Sequence, residues 1–132
     1  MMIQIDVALT HPDMPIGKKL AENFVHYVCD VLDISPTRIT IASYELNNGV
    51  VGICIDESQT EFIILVANAA RSLTEVFVTI AHELIHVKQY MNENLGWFLD
   101  NRSYIPYMER WWELEAHTLA YPLVEQFAKE LT

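Results

Sequence analysis

Ser72-Leu73-Thr74-Glu75-Val76-Phe77-Val78-Thr79-Ile80-Ala81-His82-Glu83-Leu84-Ile85-His86 is the stretch on which the reading of this chain turns. Ser72 followed by Glu75 has the form of a capping box, so a helix is expected to begin near Leu73 and run to about Met91. Phe77, Ile80, Leu84 and Val87 recur at helical spacing and give it an apolar face. His82 and His86 then lie one turn apart on a shared face, where two imidazoles can take neighbouring corners of a tetrahedral metal site. Glu83 projects beside them and can accept a proton from water that a metal has brought to a pKa of about 7. His-Glu-x-x-His arises by accident in a chain of this composition roughly once in fifty.

A catalytic zinc site needs a third protein ligand and an open fourth position. Trp111-Trp112-Glu113-Leu114-Glu115-Ala116-His117 offers three candidates. Glu113 and His117 share one helix face, whereas Glu115 points about 200° away from Glu113, so a regular helix presents only one of the two glutamates to a metal. Tyr104 and Tyr107 lie between the two halves of the motif, and a hydroxyl beside the metal can stabilise an oxyanion. Aromatic loop residues more often serve packing, and Trp97, Trp111 and Trp112 read as core and loop anchors. His11 and His26 have no partners at ligand spacing and read as structural. Asp56, Glu57 and Glu61 read as a solvated acidic turn.

Working outward, Met2–Leu9 alternates through Ile3, Ile5 and Val7 and reads as a strand. A turn over Thr10–Asp13 follows. Pro15 suits the first position of a helix that runs to Leu32, with Ile16, Leu20, Phe24, Val28 and Val31 on one face. Arg38–Glu45 and Val50–Asp56 read as the arms of a hairpin about Asn47-Asn48-Gly49, and Glu61–Ala67 as a buried strand. Asn92–Ile105 reads as irregular. Tyr107–Leu131 reads as a helix that Pro122 should kink or split. The expected fold class is α+β: a short antiparallel β-meander with an N-terminal helix, the His82–His86 helix and a C-terminal helix carrying the third ligand.

The 132 residues fit one domain, 1–132, and 52% are hydrophobic, enough for one core. The longest apolar run, Phe62–Ala67, is too short to span a membrane. Met1–Asp6 lacks the basic start of a signal peptide, and Cys29 and Cys54 read as reduced thiols, so a cytoplasmic setting is expected. The net charge is −10, divided evenly between the two halves of the chain. No basic face is visible, so nucleic acid is not an expected partner.

His82-Glu-Leu-Ile-His86 followed by Glu113-Leu-Glu-Ala-His-Thr-Leu-Ala120 resembles the gluzincin pattern, most closely that of small ImmA/IrrE-like metallopeptidases and related short phage and bacterial proteins. The likeness covers these two helices. It implies one zinc per chain held by His82, His86 and Glu113, with Glu83 as general base and a peptide or protein substrate. His117 stands where many gluzincins have Asp or Asn. It is left either as a support for the site or as a metal ligand, as the third histidine is in SprT-like proteins. A non-catalytic interaction module on the same fold is the alternative expectation, prompted by the few residues left to build a specificity cleft.

Overall fold

Phe62-Ile63-Ile64-Leu65-Val66 is apolar at every position, which suits the interior of a sheet rather than its rim. The computed structural model describes residues 3–9, 16–45, 49–67 and 71–131. Its elements are β1 (Gln4–Ala8), α1 (Ile16–Leu32), β2 (Arg38–Ser43), β3 (Gly52–Asp56), β4 (Glu61–Val66), α2 (Leu73–Asn92), α3 (Leu95–Asn101), a 3-10 turn (Tyr107–Glu109) and α4 (Trp111–Glu130). The strands lie in the order β1-β2-β4-β3, with the apolar strand β4 inside.

The fold is mixed α/β, and the expected antiparallel meander is corrected. β1 pairs with β2 in parallel and β2 with β4 in parallel; only β3 and β4 are antiparallel. The hairpin therefore joins β3 to β4 through residues 57–60, not β2 to β3. Parallel neighbours need a crossover between them, and α1 supplies the one between β1 and β2. β3 takes the rim because it carries Gly52 and ends on Asp56, neither of which packs well between two strands. Main-chain hydrogen bonds fix which way each residue of β3 turns its backbone. Ala67 N–H donates to Val51 O and Glu57 N–H donates to Glu61 O. Odd-numbered residues of β3 thus turn their backbone groups toward β4, and Gly52, Cys54 and Asp56 turn theirs to the free edge.

Val7, Ile39, Ile41, Phe62, Ile64 and Val66 are buried in one core with α1, α2 and α4. On α1, Phe24 and Val28 enter it as expected, but Val31 is exposed. Ser72 and Glu75 cap α2 reciprocally, with Ser72 Oγ accepting from Glu75 N–H at 3.1 Å and Glu75 Oε1 accepting from Ser72 N–H at 2.9 Å. α3 forms where irregular chain was expected: Leu95 is buried, and Phe98 packs against Trp111 and Trp112. A helix of 7 residues has too little intrinsic stability, so this tertiary packing holds it. α4 runs unbroken through Pro122, an exposed residue on a helix whose other face buries Ala116, Ala120, Leu123, Val124 and Phe127. The turn at Thr10–Asp13, Pro15, His11 and Asn47-Asn48 lie outside the described residues.

Candidate metal centre

One turn of α2 places His82 above His86, their rings 4.9 Å apart. α4 crosses this face and brings Glu113 to both. A single carboxylate oxygen, Glu113 Oε1, lies 3.1 Å from His82 Nε2 and 3.2 Å from His86 Nε2. In a tetrahedral zinc site with bonds of about 2.0–2.1 Å, neighbouring donor atoms are about 3.3–3.4 Å apart. Each imidazole is therefore at about ligand spacing from the carboxylate oxygen. Burial alone would raise the pKa of Glu113, but its hydrogen bonds with His82 and His86 outweigh this and hold the carboxyl well below its usual range.

His86 is fixed from behind by a residue that the sequence reading did not single out. Gln89 is fully buried, and its Nε2 donates to Trp112 O at 2.9 Å and to Glu115 Oε1 at 3.0 Å. Two acceptors on that side leave Gln89 Oε1 to face His86 Nδ1, at 2.7 Å. An oxygen there favours a proton on Nδ1 and so leaves Nε2 as the atom that could bind a metal. In the protein without metal, both ring nitrogens of His86 face acceptors. Burial disfavours the charged ring, yet the bonds to Glu113 and Gln89 and the charge of Glu83 leave its pKa raised. The signal in the sequence was a glutamine three positions after the motif's second histidine.

Glu83 is buried, and burial pushes its carboxyl above the usual range, although the two neighbouring histidines pull it down. His82, Glu83 and His86 have ligand-type atoms within 4.8 Å of one another, so Glu83 stands beside the metal position. The edge strand comes equally close. A Cβ on Gly52 would lie 2.5 Å from Thr79 Cγ2 and 3.0 Å from Glu83 Oε2, so only glycine lets β3 approach here.

The other candidates separate clearly. Glu115 faces away from the histidines, bonded to Gln89 and to Lys88 Nζ, the latter at 3.0 Å. Tyr104 is 77% exposed. Tyr107, in the 3-10 turn, donates from Oη to Glu113 Oε1 at 3.0 Å, which leaves its oxygen to accept from His117 Nε2 at 2.9 Å. Burial and the charge of Glu113 raise the Tyr107 hydroxyl to about 12, so it stays protonated. His82, Glu113 and His117 also have ligand-type atoms within 4.8 Å of one another. The ring of His117 lies 4.7 Å from that of His82, as close as His86 does at 4.9 Å. The oxygen Glu113 Oε1, bonded to both His82 Nε2 and His86 Nε2, favours His86 as the partner, while the Nε2 of His117 faces Tyr107 Oη. Trp112 is buried, Trp111 half-buried and Trp97 exposed, and Cys54 lines the same cavity while Cys29 lies in the core. His26 is exposed on α1, and Asp56 and Glu57 are exposed on the β3–β4 turn. The site opens into a cavity of about 820 Å³ between β3, α2, α3 and α4.

Comparison of the chain with protein-family models, with curated proteins and with solved structures returned no match. No helix among the described residues is long and apolar enough to cross a membrane.

Proposed function

We propose that this protein is a zinc-dependent metallopeptidase that hydrolyses peptide bonds of an intracellular protein, in the manner of the small ImmA/IrrE-like gluzincins whose motifs it resembles. The observation that carries this reading is the convergence of His82 Nε2 and His86 Nε2 on one oxygen of Glu113, with Glu83 buried alongside. His82, His86 and Glu113 would hold one zinc ion. Zinc would supply Lewis acidity, polarising a peptide carbonyl and making water nucleophilic near neutral pH. Glu83, its carboxyl destabilised as an anion by burial, accepts the proton of the attacking water and returns it to the leaving amine. Tyr107, kept protonated, donates its one proton to Glu113 and would turn it from there to the oxygen on which charge develops. His117 orients that hydroxyl.

A substrate would bind as an added strand. β4 is enclosed between β2 and β3 and offers no free edge. β3 is the edge, with free backbone groups at Gly52 and Cys54, and at Gly52 it passes against Glu83. The test is digestion of a mixture of peptides by zinc-loaded protein, read by mass spectrometry. Cleavage by the wild type and none by Glu83→Gln, which removes the base but no ligand, is the expected result. Equal cleavage by both proteins would overturn the mechanism.

A further inference from the structure

The cavity is longer than a metal site requires. Val78, His82, His86 and Tyr90 all line it, so it follows one face of α2 for twelve residues. That is about 18 Å of helix, the length of about five residues of extended chain. Its two ends differ. Before His82 the wall contains Arg71 and Thr79 together with valines. Beyond His86 the lining residues are Cys54, Tyr90, Leu95, Leu99 and Trp112, none of them charged. Leu95 and Trp112 are only 2% and 1% exposed and yet border the cavity, which makes them the floor of a recess.

The spacing relates this recess to the reacting bond. Tyr90 is one helical turn beyond His86, about 6 Å. In an extended chain, side chains on the same side repeat every two residues, about 6.6 Å. A peptide lying along β3 with its carbonyl at the metal position therefore directs a side chain from within two residues of that bond toward the recess. Glu83 and Glu113 stand next to it, and neither the recess nor its floor carries a cation to pair with an acid.

We propose that Cys54, Tyr90, Leu95, Leu99 and Trp112 form a specificity subsite for a bulky apolar side chain, borne on an extended segment of about five residues. This rests on the peptidase reading for its location. It requires only binding, however, and can fail separately. Burying a leucine-sized side chain in place of alanine corresponds to about 10- to 100-fold in affinity.

The experiment uses the full chain as Glu83→Gln, loaded with zinc, to capture peptides from a random decapeptide pool; the captured peptides are identified by mass spectrometry. The expected result is enrichment of Leu, Ile, Met or Phe at one position, with Asp and Glu depleted there. Adding Leu99→Gln, at a half-buried position, should remove the enrichment while zinc content stays at one per chain. Capture without apolar enrichment, no capture at all, or unchanged enrichment with Leu99→Gln would each overturn the subsite. The wild-type protein is then given the same pool. Enrichment without any cleavage defeats the peptidase reading and leaves the subsite standing. Cleavage with no apolar residue near the broken bond defeats the subsite and leaves the peptidase reading standing.

Discussion

At the scale of single residues, protons and the proposed metal would compete for the same atoms. His86 presents Nδ1 to Gln89 and Nε2 to Glu113, so the proposed zinc would displace the Nε2 proton while the Nδ1 proton stays. Gln89→Leu removes the acceptor that selects this tautomer, and zinc affinity should fall about 10- to 100-fold; chelator competition showing wild-type affinity would remove Gln89 from the account. The same groups predict how the metal-free protein responds to pH. The folded pKa of His86 is raised, so its stabilisation is complete below its unfolded value of 6.5 and disappears as pH rises through the folded value. The folded pKa of Glu113 is depressed, so its stabilisation is present above its unfolded value of 4.5 and disappears in acid. Glu83, raised by burial, loses its contribution as pH rises. Thermal midpoints measured in chelator should therefore peak between about pH 4.5 and 6.5, and a steady rise from pH 5 to 8 would contradict this. That His82, Glu83 and His86 come together on one turn of α2 was legible from helical periodicity, whereas periodicity left Glu113, Glu115 and His117 open and the choice of Glu113 came from the resemblance. Gln89 was not legible, because its role depends on a carbonyl and a carboxylate of α4, supplied from Trp112 and Glu115.

At the scale of elements, the capped start of α2 was legible because the capping box is a local exchange of hydrogen bonds between Ser72 and Glu75. Strand pairing was not. The alternation in Arg38–Ser43 and Gly52–Asp56 shows that each is a strand but says nothing about which neighbour it takes. A five-residue apolar run such as Phe62–Val66 then competes successfully for the interior place between them. α3 was missed for a similar reason, since the partners of Phe98 are aromatic rings on α4. The edge position of β3 matters because its backbone reaches Glu83, the proposed general base. Gly52→Ala would place a methyl 2.5 Å from Thr79 Cγ2 and 3.0 Å from Glu83 Oε2, forcing the strand or the carboxylate to move. We expect kcat/KM on any verified peptide to fall by more than about tenfold, since misplacement of about 1 Å costs on this scale, while zinc affinity is retained. Wild-type kinetics in Gly52→Ala would show that β3 does not set the position of Glu83.

At the scale of the whole molecule, a chain of 132 residues with net charge −10 brings its helices α2 and α4 together at one candidate metal position. α2 supplies His82, Glu83, His86 and Gln89; α4 supplies Glu113, the Trp112 carbonyl and Glu115; the sheet supplies the edge of β3. The centre therefore depends on the packing of α2 against α4 rather than on any one element. The most direct measurement is anomalous diffraction at the zinc edge from crystals of the zinc-loaded protein. The account predicts one strong peak per chain within about 2.0–2.2 Å of His82 Nε2, His86 Nε2 and a Glu113 oxygen, with Glu115 still bonded to Lys88 and Gln89. No peak at this position, or a peak held by Glu115 or by His117 in place of Glu113, would contradict it.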